Sequence, residues 1–199
     1  MLDDLDRTLE ELLRRELSPN FVSPDALTPV TISFATPDQD FTRNVGNLPA
    51  IDLFLYDIRE NLELRNSNWN VTRQNQETAL KQRPPVRVDC SYLITVWARE
   101  PNASQTEHQI LGEVMRVLLR YPKIPAAVMQ GRLSQQEPLP RALALRPTQL
   151  QSLGEFWQAM GGRPKPAMNF TVTIAIPVSD ESEEIPLVTD PQVRVRRTP

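Results

Sequence analysis

The chain has 199 residues, 22 Lys or Arg against 25 Asp or Glu, a single histidine and a single cysteine. That length suits one domain with short additions and is long enough to bury a proper core. A formal charge of -3 without a basic block before the last residues argues against a nucleic-acid partner, and one cysteine excludes an intrachain disulfide.

The first segment, "MLDDLDRTLEELLRREL", is acidic at its front and has no apolar core run, so it does not read as a signal peptide. No stretch approaches the roughly 18 apolar residues needed to span a bilayer, and a cytoplasmic product is expected. Leu2, Leu5, Leu9, Leu12, Leu13 and Leu17 recur every three or four positions and predict a helix with one apolar stripe. Asp3, Asp4 and Asp6 near its start and Arg14 and Arg15 near its end agree with the helix dipole, and Ser18-Pro19-Asn20 should stop it. Val30, Ile32 and Phe34 then alternate with Thr31 and Ser33 in a short predicted strand.

"IDLFLYDIRENLELRN", residues 51–66, begins as a strand buried on both faces. Its apolar positions are odd-numbered through Leu55 and even-numbered at Ile58, Leu62 and Leu64. A flat strand alternates faces with a period of two, so this parity switch requires a bulge or break between Tyr56 and Ile58. Residues 66–83 are polar with one Trp and predict a hairpin excursion or long loop. "RPPVRVDCSYLITVWA" then places Val86, Val88, Cys90, Tyr92, Ile94 and Val96 on one face of a strand and Arg87, Asp89, Ser91 and Thr95 on the other.

Ser104-x-x-Glu107 reads as a capping box opening a helix with the stripe Ile110, Leu111, Val114, Val117, Leu118 and Tyr121, ended by Pro122. A shorter helix is expected after Thr148-x-x-Gln151, with Leu150, Leu153, Trp157 and Met160 inward and Gly161-Gly162 as its stop. Met168, Phe170, Val172, Ile174 and Ile176 form one face of a last strand. Residues 178–199 are acidic, then basic, and interrupted by proline, and are expected to be a flexible tail unless a partner orders them. Together these elements predict an α+β domain over 1–177. It would be two-layered, with about four main strands in a mostly antiparallel sheet and three helices stacked on it.

Motifs for catalysis are missing. Asp57, Glu60 and Glu63 would line one face of a helix as a carboxylate cluster for metal or acid-base work. On a strand their spacing puts neighbours on opposite faces, and a solvated charge run is the simpler reading. His108 flanks a helix stripe without Cys or His companions, and Cys90 lies on the apolar strand face, where a thiol acts as a small hydrophobe. None of the six glycines builds a phosphate loop, and the serines lack a nucleophile elbow. No cofactor is expected. Around residues 57–87, by contrast, Asp57, Arg59, Glu60, Asn61, Arg65, Trp69, Arg73, Arg83 and Arg87 gather in a region poor in core pattern, and Trp and Arg are frequent interface anchors. A solvated hairpin with its Trp packed on the domain is the alternative.

Five stretches carry a resemblance. They are "LDRTLEELLRREL", "IDLFLYDIRENLELRN", "RPPVRVDCSYLITVWA", "EHQILGEVMRVLLRYP" and "LGEFWQAMGGRPKPAMNFTVTIAIP", spread from Leu2 to Pro177. Through them the chain resembles the tube-terminator, or cap, family of extracellular contractile injection systems. That resemblance implies a domain similar to phage tail-terminator proteins, arranged as a sixfold ring of identical copies. Such a ring closes the inner tube and helps end sheath growth, so the implied partners are self, tube protein and sheath protein. The positions matching the family are Tyr56, Asp57, Arg59, Glu60, Asn61, Leu62, Arg65, Arg83, Pro84, Pro85 and Arg87. The alternatives are a neck or baseplate ring adaptor of the same machine and, more remotely, a carboxylate-metal hydrolase.

Overall fold

The computed structural model describes residues 1–22, 29–99, 101–147, 150, 152–178 and 182–187. Its elements in chain order are α1 (Leu2–Glu16), α2 (Pro19–Val22), β1 (Thr31–Ser33), α3 (Phe41–Asn44), β2 (Ala50–Glu60), β3 (Asn70–Arg73), β4 (Thr78–Gln82), β5 (Val86–Trp97), α4 (Ala103–Arg120), β6 (Arg141–Ala144), α5 (Leu153–Ala159), β7 (Ala167–Ile176) and β8 (Ser182–Pro186), with short 3-10 turns at Leu62–Leu64, Ala126–Val128 and Gly131–Gln135. They form an α+β fold that divides into two compact units, one of residues 1–60 and 88–175, the other of 61–87 and 176–199.

The larger unit is built on a five-stranded sheet ordered β1-β2-β5-β7-β6, parallel between β1 and β2 and antiparallel between β2 and β5 and between β6 and β7. α1 buries Leu5, Leu9, Leu12 and Leu13, the stripe its spacing predicts. Leu17 turns extended at ψ 153°, and the chain leaves the helix just before Ser18-Pro19. Tyr92 of β5 donates from its hydroxyl to Asp6 of α1 at 2.8 Å, which fixes one sheet face beneath that helix. Burial of the Tyr92 ring and the Asp6 carboxylate raises both pKa values.

The opposite face is more enclosed than the alternation suggests. Ser91, Thr95, Thr171 and Thr173 are all buried. Each hydroxyl has a partner: Ser91 with Thr171 at 3.2 Å, Thr173 donating to Asp89 at 2.6 Å, and Thr95 accepting from the Trp97 indole at 3.0 Å. The short helices α3 and α5 contribute Phe41, Phe156 and Trp157 to an aromatic cluster with Phe54 and Trp97, with ring centroids 4.8–6.4 Å apart. A buried polar face is tolerated because its groups bond one another.

Three local expectations change. Ser104 lies inside α4, whose N-cap is Asn102 in the left-handed region at φ 65°, so no capping box forms there. Glu107 instead accepts from the Ala98 amide at 3.0 Å and from Lys165 at 2.6 Å, and the Lys165 ammonium lies 4.7 Å from the centre of the Trp97 ring. The expected capping pair Thr148 and Gln151 lies outside the described residues, and Ser152 caps α5 by accepting from the Glu155 amide at 3.2 Å. Leu153 is 40% exposed, so α5 turns mainly Trp157 inward. The stop at Gly161 behaves as the sequence indicates. Its φ is +66°, and the Gly162 amide reaches back to the Trp157 carbonyl, satisfying an end carbonyl of the helix.

One glycine is structurally required. Gly131 has φ +53°, and a Cβ there would collide with the Asp4 carboxylate. Asp4 is buried and ion-paired with Arg7 at 2.6 Å, while the Arg132 amide reaches it at 3.3 Å. Thr8 adds a second tie, accepting from the Gln130 amide at 3.0 Å. Gly131→Ala should therefore cost about 1–3 kcal/mol, from backbone strain and overpacking together. A urea titration of variant and parent checks this, and an unchanged midpoint would mean the 131–135 turn shifts freely off α1.

The smaller unit is a three-stranded antiparallel sheet ordered β3-β4-β8. The excursion expected over 66–83 is the β3–β4 hairpin. Residues 182–186, part of the expected flexible tail, pair with β4 from Thr78↔Pro186 to Gln82↔Ser182. The acidic residues Asp180, Glu181 and Asp190 and the cations Arg194, Arg196 and Arg197 of that tail lie outside the described residues.

Candidate functional site

The charged half of β2 starts at a bulge. β2 pairs with β5 through Leu55↔Tyr92, then resumes at Asp57↔Ser91, leaving Tyr56 as the extra residue. The parity switch in the sequence thus marks the bulge, and the Tyr56 hydroxyl donates to Asn169 at 2.7 Å. Past it, Asp57 and Arg59 share a strand face and form a two-pronged ion pair at 2.7 and 2.8 Å. Arg59 lies directly across from Asp89 and its side chain is 52% exposed. Glu60 closes the strand at Val88. Asp57 and Glu60 are strand residues, and Glu63 falls in the separate 3-10 turn, so the three do not share a helix face.

The other candidates belong to the smaller unit and separate by role. Asn61 holds a turn: its side chain accepts from the Leu64 amide at 3.0 Å, and its own amide donates to the Arg87 carbonyl at 2.8 Å. Arg73 braces the hairpin loop by donating to the carbonyls of Asn75 at 2.9 Å and Gln76 at 3.3 Å. Arg87 is buried and Arg65 is exposed. Trp69, 44% exposed, receives the Lys81 ammonium at 4.6 Å and the Arg83 guanidinium at 5.6 Å from its ring centre. Val71, across from Lys81 on the same sheet face, is 55% exposed. Lys81, in β4, is not among the candidates read from sequence, although it stands two residues before Arg83, just past the end of that strand.

Chemistry has little to work with among the described residues. No group of three or more His, Cys, Asp or Glu is placed to hold a metal, and no helix is long and apolar enough to cross a membrane. Burial pushes the Cys90 thiol up to about 12, and His108 is exposed on α4. A cleft of about 590 Å³ at the start of α1 is lined by Met1, Asp3, Asp4, Gly131, Arg132 and Gln135, with Asp4 already engaged. Asp52 is the most perturbed carboxyl. It is fully buried in β2, directly across from Ser33 and Thr95, and neither oxygen has a hydrogen-bond partner among the described residues. Burial pushes its pKa up to about 8, partly opposed by the nearby Ser33 hydroxyl and Ala35 amide.

Comparison with known families places the chain. The family model for the Pvc16 N-terminal domain covers residues 4–190. The chain belongs to the Pvc16 N-terminal domain family. Among solved structures, it is similar to the cryo-EM sheath/tube terminator of the extracellular contractile injection system PVC in its extended state, at 25% identity and a TM-score of 0.67. It is also similar to the tube-terminating cap of the anti-feeding prophage, at 27% identity and a TM-score of 0.66. These alignments take in 100% and 98% of this chain but only 64% and 62% of theirs, so the chain spans less than two thirds of each relative. Comparison with curated proteins returned no match.

Proposed function

We propose that this chain is a structural terminator, a cap that closes the inner tube of a contractile injection system and limits the sheath. The observation that carries this reading is the likeness, over nearly all of this chain, to the sheath/tube terminator of a contractile injection system and to a tube-terminating cap. Ending a polymer needs a surface that fits the last layer and offers no site for the next, so binding suffices and no reaction is required. A closed ring of copies, six as the family resemblance implies, would present that surface with the tube's own symmetry. The inner tube and the sheath are the other partners of this reading, which places the chain in the cytoplasm until it joins a particle.

Negative-stain imaging of particles assembled without this protein tests the proposal. Overlong or ragged tubes are expected. Normal tubes with absent baseplates would instead assign the chain to an adaptor ring, and loss of thermal stability on chelation would revive a metal-dependent enzyme.

The exposed end of β2 supplies a sharper check. Arg59→Glu combined with Arg65→Glu breaks an exposed pair with Asp57, so the melting temperature should stay within a few degrees of the parent. Capping should nevertheless fail, because reversed charge at a docking surface repels the partner. A large drop in melting temperature together with normal tube ends in the surviving protein would make these arginines fold residues.

A further inference from the structure

β8 lies at one border of the smaller sheet, and its outer side has no strand beside it among the described residues. The Leu187 amide donates to the Glu77 carbonyl at 2.7 Å. Hydrogen bonds of an antiparallel pair recur at every second residue, so Ile185 and Glu183 also turn their backbone toward β4. Glu184 and Pro186 therefore turn theirs outward. An open row of this kind is a template for another strand. Side chains along it alternate as well: Glu184 is exposed, while Ile185 and Leu187 are half-buried.

The chain itself carries a segment that fits this row. Val193 and Val195 alternate with Arg194 and Arg196, and Arg197 follows, a pattern suited to a half-buried strand. These five residues lie outside the described ones. Set antiparallel to β8 with Val195 across from Ile185, the segment places Val193 across from Leu187, Arg196 across from Glu184 and Arg197 across from Glu183. Only this register opposes both glutamates with arginines and both apolar residues with valines. A one-residue slip in either direction would set an arginine against Ile185 and turn every side chain to the other face. Opposite charges directly across a sheet stabilise it, and like charges destabilise it. Lys81 already lies 3.4 Å from Glu183, but that side chain stays 64% exposed, and a carboxylate accepts from more than one donor.

The connection suits a hairpin. Residues 188–192 make a five-residue loop, and Asp190-Pro191 fits the first two positions of the type I turn on which such loops are built. Pro186 has no amide to offer, so the pairing forgoes one hydrogen bond. The opposite border strand, β3, carries Arg73 and no acid, and offers the same segment no such match. We propose that residues 193–197 dock along the outer side of β8 of their own chain as a fourth, antiparallel strand, and so withdraw that row from other chains. The contact does not depend on the terminator reading.

Hydrogen exchange resolved to single amides, measured on the full chain, tests it. The Arg194 and Arg196 amides, aimed at the Pro186 and Glu184 carbonyls, should exchange at least tenfold more slowly than free peptide, whereas those of Val193 and Val195 should not. Glu184→Arg should abolish the slowing, and adding Arg196→Glu should restore it. Ile185→Cys with Val195→Cys should form a disulfide within one chain on oxidation, Cys90 being buried. Ile185→Cys with Arg194→Cys, whose side chains would leave opposite faces, should link at least tenfold less. Exchange without slowing at Arg194 and Arg196, slowing without the alternation, or slowing that survives Glu184→Arg would each overturn the strand. A disulfide between copies instead of within one would give the row to a second copy and overturn the hairpin.

Discussion

Trp157→Ala is expected to lose about 3–5 kcal/mol of stability, the range for removing a large buried aromatic side chain. Trp157 is 2% exposed and is the residue α5 buries. Its ring meets Trp97 and Phe156 edge-on, with centroids 6.4 and 5.3 Å away, and the Gly162 backbone closes against it. α5 is only seven residues long and has little helical stability of its own, so losing this anchor should release the helix as well as leave a cavity. Against a typical margin of 5–15 kcal/mol, the variant should melt far below the parent and accumulate poorly in soluble form. Trp157→Phe should restore much of the loss. A soluble Trp157→Ala with a near-normal melting temperature that fails only in assembly would place Trp157 at a subunit contact.

The second large effect is on pH dependence. Asp52 has a folded pKa of about 8 against about 3.9 for an unfolded aspartate, so between those values the folded chain holds a proton that the unfolded chain has released. Its contribution is therefore fully present below about pH 4. It falls as pH rises, by up to about 1.4 kcal/mol per unit, and is gone above about pH 8. Asp52→Asn keeps the shape without the charge, and its amide can donate toward the oxygens of Ser33 and Thr95, the residues directly across on β1 and β5. At pH 8 the variant should exceed the parent by about 2–5 kcal/mol, while below pH 4 the two should nearly coincide. Thermal melts of both proteins from pH 4 to pH 9 measure this. Parallel curves would mean that Asp52 finds a charge-stabilising partner that its described surroundings lack.

These two residues show how far the linear pattern reaches. Leucine spacing alone specifies α1, because a 3.6-residue period requires only that one helix face find a core. The odd-to-even switch locates the bulge at Tyr56, since strand parity is a local property that no distant partner can alter. The polar run with one Trp reads as a hairpin excursion or a long loop, and pairing of Asn70–Arg73 with Ala79–Gln82 decides for the hairpin. β6 was not legible: Arg141–Ala144 is a strand because the edge of β7 offers it hydrogen bonds from Phe170 to Thr173. β8 likewise exists through β4, about a hundred residues earlier in the chain. Glu107 has the spacing of a capping residue, yet Lys165 and the Ala98 amide compete for its carboxylate and win, because a buried acid needs charge-assisted partners. Among the surface candidates, composition found Trp69 and Arg83, but only strand pairing put Lys81 and Val71 beside them on one face. Sequence therefore determined the periodic elements, the bulge and the family. Tertiary structure decided which polar groups are buried, protonated or turned outward, because burial and pairing depend on residues far apart in the chain.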